Sequence, residues 1–528
     1  MMMRTILNIL LATLIGGLAP LAAEERPEFV SYLRDNRFVE VSITERVLET
    51  HAPWKTDTMR EVSRTGYFVN DYTVMAGGIR PDLAVSMTVR LNEESRPIPA
   101  SIIYFDTELG LALITLHTDS TGQYTYYNAK RRKSRSRRLP VSKSHSKFTR
   151  GRELRVLGTR AEQAAVRFQT LPASFEQYGS TLAPGGSVMI PTLMFSSYAP
   201  GIDPGDLIMQ KGVLKGIVMY FDEERKYGHA LPAPFINQFR ARAMKRYKTK
   251  KNKLFVEQWM RGETRAPNTI VTHPGFTVSA LKNPPSRSYY GLKPYHQGAV
   301  VAEVLPYGGA FGKLLRNDVI IQAGGRAVGP DGTLRDPVFG RLPLGVALSL
   351  RRGIFGPNGG GISLRIAREG RQRTIRVALK EFSQANLRIP VYEPQPKYAV
   401  VGGLVFVELS REYLKQTPQA PDRLKYLALN SRYLDARTGD RFVVLDRVLP
   451  VSVDLGYSGE RLLVQSVNNI AVRDVDHLRR LVSRFRAQGD SVAFRLEGNR
   501  TMVLAPETID RKDRDVRAQY GIQFLNNE

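Results

Sequence analysis

The stretch Gly298 to Gly325, GAVVAEVLPYGGAFGKLLRNDVIIQAGG, restricts the fold more than any other part of the chain. Val300, Val301 and Val304 form a short alternating strand that runs into a two-glycine turn at Gly308 and Gly309. Ala310 to Leu315 has the look of a short helix. Asn317-Asp318 then opens a β-branched run, Val319 to Ile321, closed by Gly324-Gly325. Short β-branched runs bounded by Gly and Asn-Asp pairs are strands joined by tight turns. The stretch therefore predicts a small β-sheet unit with a short helix between two of its strands.

The 528 residues exceed what one ordinary core holds, which predicts about three domains. A hydrophobic fraction of 42% is that of a globular chain and argues against wholesale disorder. The net charge of +27 fits a basic soluble protein, and also contact with nucleic acid, an anionic membrane face or an acidic envelope polymer. The chain has no cysteine, which excludes disulfides, thiol catalysis and Cys-based zinc sites. No HExxH, EF-hand loop or cluster of His, Asp and Glu points to a metal, and no cofactor is expected. Met1 to Arg4 is a short basic start, Ile6 to Leu18 is apolar, and Pro20-Leu21-Ala22-Ala23 precedes Glu24-Glu25. This is a secretory signal pattern with cleavage after Ala23, which predicts export to the periplasm or cell envelope. The apolar core is shorter than the roughly 20 residues of a spanning helix.

Downstream, short strands follow one another. They are expected at Val39–Val47, at Arg64–Ile79 as two strands around Asn70-Asp71, and at Ala100–Phe105 and Leu111–Leu116. Further strands are expected at Gly151–Gly158, Gly185–Leu193 and Leu207–Ile217, with a helix at Pro234–Lys248. This order resembles the chymotrypsin-type double barrel of the HtrA/Deg serine protease family. The matching pieces are Gly66-Tyr67-Phe68-Val69, Thr73 to Ile79, Asp106 to Leu113, Gly151 to Gly158, Gly201 to Leu207, Gly212 to Ile217 and Gly228 to Pro232. The stretch Gly298 to Gly325 resembles the heart of a PDZ domain. Gly402 to Leu409 with Tyr413-Leu414 resembles the "GGLVF" segment between the PDZ domains of the plant-type Deg branch. The resemblance implies a mainly β chain, a chymotrypsin-like double β-barrel followed by two PDZ-like domains. The implied boundaries are a signal peptide at 1–23, the trypsin-like domain at 24–245 and a linker at 246–275. A first PDZ domain at 276–385, an inter-PDZ segment at 386–440 and a second, divergent PDZ-like domain at 441–528 follow. In that branch the second PDZ domain is implicated in subunit contacts or in blocking the first, which implies self-association.

Hydrolysis by this family needs a hydroxyl, an imidazole and a carboxylate in line. Within TVMAGGI, Gly77 falls at the histidine position; within DTELGLAL, Gly110 falls at the aspartate position; within GIDPGDL, Asp203 falls at the serine position. Glycine accepts no proton, and an aspartate would repel the oxyanion it should help to form. Pro204 removes a further backbone N–H from the turn. The histidines are His51, His117, His145, His229, His273, His296 and His477, none at a catalytic spacing, and Ser187 is a displaced hydroxyl with no base marked for it.

The expected function is that of a catalytically inactive, HtrA-like scaffold that holds peptide C-termini or unfolded polypeptides. The resemblance places its carboxylate-binding loop at Tyr289, Tyr290, Gly291 and Leu292, where backbone N–H groups would meet a ligand that adds to the sheet edge as a strand. Two other readings stay open: an active serine endopeptidase with a non-standard triad, and a basic envelope-surface or nucleic-acid binder acting through Lys130–Lys147. That basic, Ser-rich segment lacks interleaved aromatics, so base stacking is not suggested, and it reads as a loop. Pro357 to Gly361 reads as a hairpin turn, since no Lys-Ser/Thr follows it to make a phosphate cradle.

Overall fold

The computed structural model describes residues 37–526 apart from 56–57, 71–72, 92–95, 118–138, 143–147, 163–164, 187, 248–268, 293–296, 307, 350–360, 381–387, 390–395, 431–439 and 452–459. The signal segment, most of the basic loop, the linker helix expected near Leu254, residues 357–360 of the expected turn, and Ser187, His145 and His296 lie outside the described residues.

Six strands close the first barrel: β1 (Phe38–Arg46), β2 (Met59–Asn70), β3 (Thr73–Gly77), β4 (Ala84–Arg90), β5 (Ile98–Asp106) and β6 (Leu111–Leu116), in the order β1-β2-β3-β6-β5-β4. The alternation that predicts β1 is the alternation that fills the barrel, since Val39, Val41 and Ile43 point into one core with Val74, Ala76 and Ile114. The second barrel repeats the plan with β7 (Arg152–Glu162), β8 (Ala165–Leu182), β9 (Met189–Ser196), β10 (Leu207–Gln210), β11 (Val213–Asp222) and β12 (Tyr227–Pro232), in the order β10-β11-β12-β9-β8-β7. Helix α1 (Ala233–Tyr247) leaves β12 and folds back, so that Phe239 meets Tyr104 of the first barrel with ring centroids 5.6 Å apart. Closing both barrels removes their sheet edges, so neither offers a free strand.

The first PDZ-type sheet starts at β13 (Phe276–Ala280), which precedes α2 (Pro284–Tyr289). It continues with β14 (Ala299–Val304), β15 (Val319–Ala323) and β16 (Arg326–Ala327). A hairpin of β17 (Thr333–Asp336) and β18 (Gly340–Pro343) leads to α3 (Leu344–Ala347), and β19 (Ile362–Arg368) and β20 (Arg371–Val377) finish the unit. The sheet order β13-β14-β15-β19-β20 leaves β13 at an edge. Between β14 and β15 the helix-like patch Ala310–Leu315 forms successive turns rather than a helix; one i to i−4 bond is present, from Leu314 N–H to Ala310 C=O.

The last unit contains β21 (Tyr398–Val401), β22 (Leu404–Glu408), α4 (Arg411–Gln416), α5 (Asp422–Asn430), β23 (Val443–Val448), β24 (Leu462–Val467) and β25 (Ile470–Ala471). Helix α6 (Val475–Ala487), β26 (Val492–Leu496), β27 (Arg500–Leu504) and α7 (Pro506–Tyr520) complete it. Its sheet order is β21-β22-β23-β24-β26-β27. Strands β21 and β22 thus belong to the second PDZ sheet itself. The expected inter-PDZ segment at 386–440 is corrected accordingly: its strands pair with β23, and Phe406 stacks on Phe494 of β26 at 4.9 Å.

The first PDZ unit is not tethered loosely. Leu334, Phe339, Leu342 and Val346 lie in one buried cluster with Leu157, Ile190 and Leu231 of the barrels. Phe339 meets Tyr178 edge-on at 5.2 Å, and the Asp336 carboxylate accepts the N–H groups of Val338 (2.7 Å) and Phe339 (2.8 Å) to fix the turn. Behind it, buried Asp106 accepts N–H groups from Glu108, Leu109 and Ile270 and the hydroxyl of Thr269, which pins the chain entering the PDZ unit to the first barrel. Replacing Phe339 by Ala should therefore cost about 3–5 kcal/mol. Urea unfolding should show the loss as a lower midpoint, or as a split transition if the PDZ unit separates; an unchanged midpoint would contradict this packing.

Candidate functional site

Strands β3 and β6, the turn before β6 and the loop before β10 bring the three family positions to one place. Gly77 and Gly110 line a cavity of about 160 Å³ together with Pro204, Leu109, Leu111, Ile217 and Leu231. The two barrels touch there by backbone. A Cβ on Gly205 would lie 2.6 Å from the Gly77 carbonyl oxygen, and one on Gly78 would lie 2.7 Å from that of Pro204. Gly77 itself has no space for a side chain, since its Cβ would meet Ile217 Cγ2 at 2.5 Å. Gly110 sits at φ +62°, where a side chain is strained, and a Cβ there would lie 3.4 Å from Pro184 Cβ. Asp203 points away from the cavity and is mostly solvent-exposed, with its Oδ2 3.1 Å from Arg160.

The family's oxyanion donors are the N–H of the nucleophile and that of the residue two before it. The equivalent groups here already have acceptors. Asp203 N–H donates to Asp206 Oδ2 at 3.0 Å, and Gly201 N–H donates to Glu223 Oε1 at 3.0 Å. Asp206 is buried on the seam between the barrels. Its carboxylate also accepts from Thr65 Oγ1 at 3.2 Å and pairs with Arg160 at 3.4 Å. Burial pushes its carboxyl up to about 7, against the pull of the Asp203 N–H and Arg160. Arg64 closes the other side by donating to the Gly78 and Ser63 carbonyls at 2.9 and 3.0 Å.

Helix α4 of the last unit lies over this cavity and reaches both barrels. Lys415 is in the lining, Arg411 donates to Gly186 C=O at 2.8 Å, and Gln416 donates to Leu48 C=O at 2.6 Å while accepting from Thr50. No described histidine lines the cavity. His117 meets Ser101 Oγ at 2.7 Å at the end of β6, and His229 meets Thr192 Oγ1 at 2.9 Å between β12 and β9. His51 lies between Thr417 Oγ1 (3.0 Å) and Asp446 (3.4 Å), a hydroxyl–imidazole–carboxylate order. Thr417 is fully buried, however, and gives its proton to Tyr413 C=O at 2.7 Å, so no carbonyl carbon can approach it. Among the described residues no group of three His, Asp or Glu is arranged to hold a metal.

Tyr289, Tyr290, Gly291 and Leu292 stand at the end of α2 and not beside a strand-binding edge. The N–H groups of Tyr290, Gly291 and Leu292 donate to the carbonyls of Ser286, Ser288 and Arg287 at 3.1, 2.9 and 3.0 Å. Leu292 is buried with Tyr290 against the sheet, and the Tyr289 ring is exposed. The carboxylate-loop assignment is corrected on that ground: helix closure uses the donors. The edge strand is β13, entered through Gly275 at φ +79°, whose Cα approaches the backbone of Gly309 and Ala310 too closely for a side chain to fit with ease. The signal that marks it is Pro274-Gly275-Phe276 followed by alternating residues. Sequence reading passed it over in favour of the aromatic pair downstream.

Two closed six-stranded barrels followed by two PDZ-type sheets define a trypsin-like protein with PDZ modules. The family model of a PDZ domain matches residues 388–526. The chain is 28% identical over 252 residues to protease Do-like 2, chloroplastic, of Arabidopsis thaliana, covering 47% of this chain and 40% of that protein. It is 22% identical over 227 residues to protease Do-like 4, mitochondrial, of the same plant, covering 42% of this chain and 40% of the relative. The solved structure of the HtrA-type protease AlgWS227A with decapeptide aligns with a TM-score of 0.44 at 14% identity, over 67% of this chain and 98% of that one. The chain is similar to Do-like proteases of the HtrA/Deg family. It spans about half the length of the curated relatives it matches.

The seam makes two testable demands. Gly77→Ala should destabilise by about 1–3 kcal/mol through overpacking against Ile217. Adding Ile217→Ala should recover part of the loss in urea midpoint, and a Gly77→Ala variant as stable as the parent would refute the contact. Because burial raises the Asp206 carboxyl, the folded chain binds that proton more tightly than the unfolded chain does between about pH 4 and pH 7. Stability is then greatest below that window and falls as pH rises through it, by up to about 1.4 kcal/mol per pH unit. Asp206→Asn should flatten this decline in urea midpoints measured from pH 5 to pH 8; parallel curves would rule it out.

Proposed function

We propose that this is a non-hydrolytic HtrA-like protein of the cell envelope that holds extended or unfolded polypeptide by strand addition to its first PDZ sheet. The observation that carries the reading is the convergence of Gly77, Gly110 and Pro204 on a cavity whose described lining holds neither an imidazole nor a hydroxyl. Two further observations support it. The N–H groups of Asp203 and Gly201 are taken by carboxylates, and α4 lies across the cleft a substrate would need. Export rests on the Met1–Ala23 pattern.

The edge that accepts polypeptide is β13. Val278 lies opposite Val301, whose N–H and C=O are both turned to the 317–318 turn. Antiparallel alternation then turns the N–H of Val278 to the open side. An added strand gains its affinity from such backbone groups and its selectivity from the pockets for alternate side chains.

Purified full chain incubated with fluorescent unfolded casein should leave the casein intact and co-elute with it. Val278→Pro removes one edge donor, worth about 1 kcal/mol, and should weaken the holding roughly fivefold at an unchanged melting temperature. Casein fragments that persist through repeated purification would establish the active-protease reading instead. Equal binding by Val278→Pro would remove β13 from the account.

A further inference from the structure

The first PDZ-type unit has a surface that the holding of polypeptide leaves unexplained. It is the end of the sheet where the β19–β20 turn, the end of α2 and the turns between β14 and β15 come together. Arg368, at the close of β19, joins two of these pieces. Its Nε donates to Asp318 Oδ1 at 2.7 Å and its Nη2 donates to Lys313 C=O at 2.9 Å. Asp318 Oδ2 in turn accepts Leu315 N–H at 2.9 Å, and Lys313 Nζ reaches Arg376 C=O of β20 at 3.0 Å. On the other flank the Glu369-Gly370 turn touches the end of α2, since a Cβ on Gly291 would lie 2.6 Å from Gly370 Cα. Residues 311–318 and 289–291 therefore flank the same turn and are fixed there.

Three large apolar side chains stand out of this end. Tyr289 is 84% exposed, Phe311 59% and Leu315 52%, whereas their chain neighbours Tyr290, Ala310 and Leu314 pack into the unit. Exposed apolar residues scattered singly are ordinary, but three around one turn make a patch. Its surround is basic. Lys313, Arg316, Arg371 and Arg373 are exposed, and the exposed acids on the same elements are Glu303 and Glu369. Asp318 is buried and paired with Arg368. Arg371 and Arg373 alternate with Ile375 on one face of β20, and Ile375 packs in the same cluster as Ala310 and Leu314. The surplus extends through the unit, with sixteen Lys or Arg against five Asp or Glu from Phe276 to Lys380.

We infer that this end of the first PDZ-type unit docks on an anionic lipid bilayer. Phe311 and Leu315 enter the boundary between headgroups and acyl chains, and the Tyr289 ring lies at headgroup level with its hydroxyl toward water. Lys313, Arg316, Arg371 and Arg373 meet the lipid phosphates. The mixture of groups favours a bilayer over other partners. The core of a protein interface is depleted in charge, whereas cations here stand among the apolar side chains. A single-stranded nucleic acid stacks its bases on aromatic faces, and Leu315 offers none. Because Arg368, Asp318 and Tyr290 already hold the tip, docking has little chain left to order.

The test is cosedimentation of the full chain with vesicles of phosphatidylcholine mixed with phosphatidylglycerol, and with vesicles of phosphatidylcholine alone. The mixed vesicles should bind at least about tenfold more tightly, and added salt should weaken them. Other basic segments of the chain respond to charge as well, so the deciding variants are apolar. Phe311→Ser with Leu315→Ser should weaken binding to the mixed vesicles about tenfold at an unchanged melting temperature, both side chains being exposed. Arg371→Gln with Arg373→Gln should weaken it by about the same factor. The indole introduced by Phe311→Trp should emit further to the blue on mixed vesicles and be quenched by brominated acyl chains. If the serine pair is destabilised, the arginine pair and the indole decide. Unaltered affinity in the folded serine pair or in the arginine pair, or an indole that brominated lipid leaves bright, overturns the proposal. Binding that only deletion of Lys130–Lys147 removes would assign it to that loop, and an indole that responds to single-stranded DNA and not to vesicles would assign the tip to nucleic acid; either overturns it too. Casein holding through β13 is scored separately with Val278→Pro, so failure here leaves that reading standing.

Discussion

The two barrels meet where the backbone of Gly205 touches that of Gly77. That approach leaves 2.6 Å between the Gly77 carbonyl and the place a Cβ on Gly205 would take, so the seam closes only because both residues lack side chains. Everything behind it follows. Asp206 is carried under the seam, where it collects the Asp203 N–H, the Thr65 hydroxyl and Arg160. Arg64 is drawn to the Gly78 carbonyl from the other side. The backbone at the positions where the family carries its proton relay is here packed between the two barrels, and the neighbouring polar groups are satisfied internally.

A closed seam changes what the rest of the chain can do. Helix α4 rests on it from outside, with Arg411 on one barrel and Gln416 on the other. The buried joint of His51, Thr417, Tyr413 and Asp446 fastens the same unit to the residues just after β1. On the opposite side Phe339 and Tyr178 lock the first PDZ unit to the second barrel. The strand addition proposed for this chain needs an open sheet edge, and closed barrels have none. The two larger open sheets belong to the PDZ units; β13 and β20 are the outer strands of the first, and β21 and β27 those of the second.

Much of this was legible in the sequence for a simple reason: side chains that alternate in a barrel strand alternate in the text. Strands β1, β2, β3, β5 and β6 lie where the alternating runs predict them, and α1 occupies the expected helix. Gly77, Gly110 and Asp203 could be placed because each sits at a fixed offset within a strand-turn pattern. What stayed hidden depends on contacts between distant residues. Thr65 and Asp206 are 141 positions apart, and nothing local marks the pair. The carboxylate loop was misplaced at Tyr289–Leu292 because a glycine after two aromatics resembles the motif, whereas helix closure at Ser286–Ser288 consumes its donors. The boundary of the last unit was set too late because β21 and β22 are separated from their partner β23 by two helices, and pairing across such an insertion leaves no period to read.

The proposal that carries the rest is that this chain holds no activated serine. Labelling the full protein with a fluorophosphonate that reacts with activated serines, followed by intact-mass analysis beside a catalytically competent trypsin-like protease, tests it most directly. The account expects the control to gain the adduct mass and this chain to keep its own mass unchanged. A stoichiometric adduct, mapped by peptide mass to one serine of this chain, would contradict it.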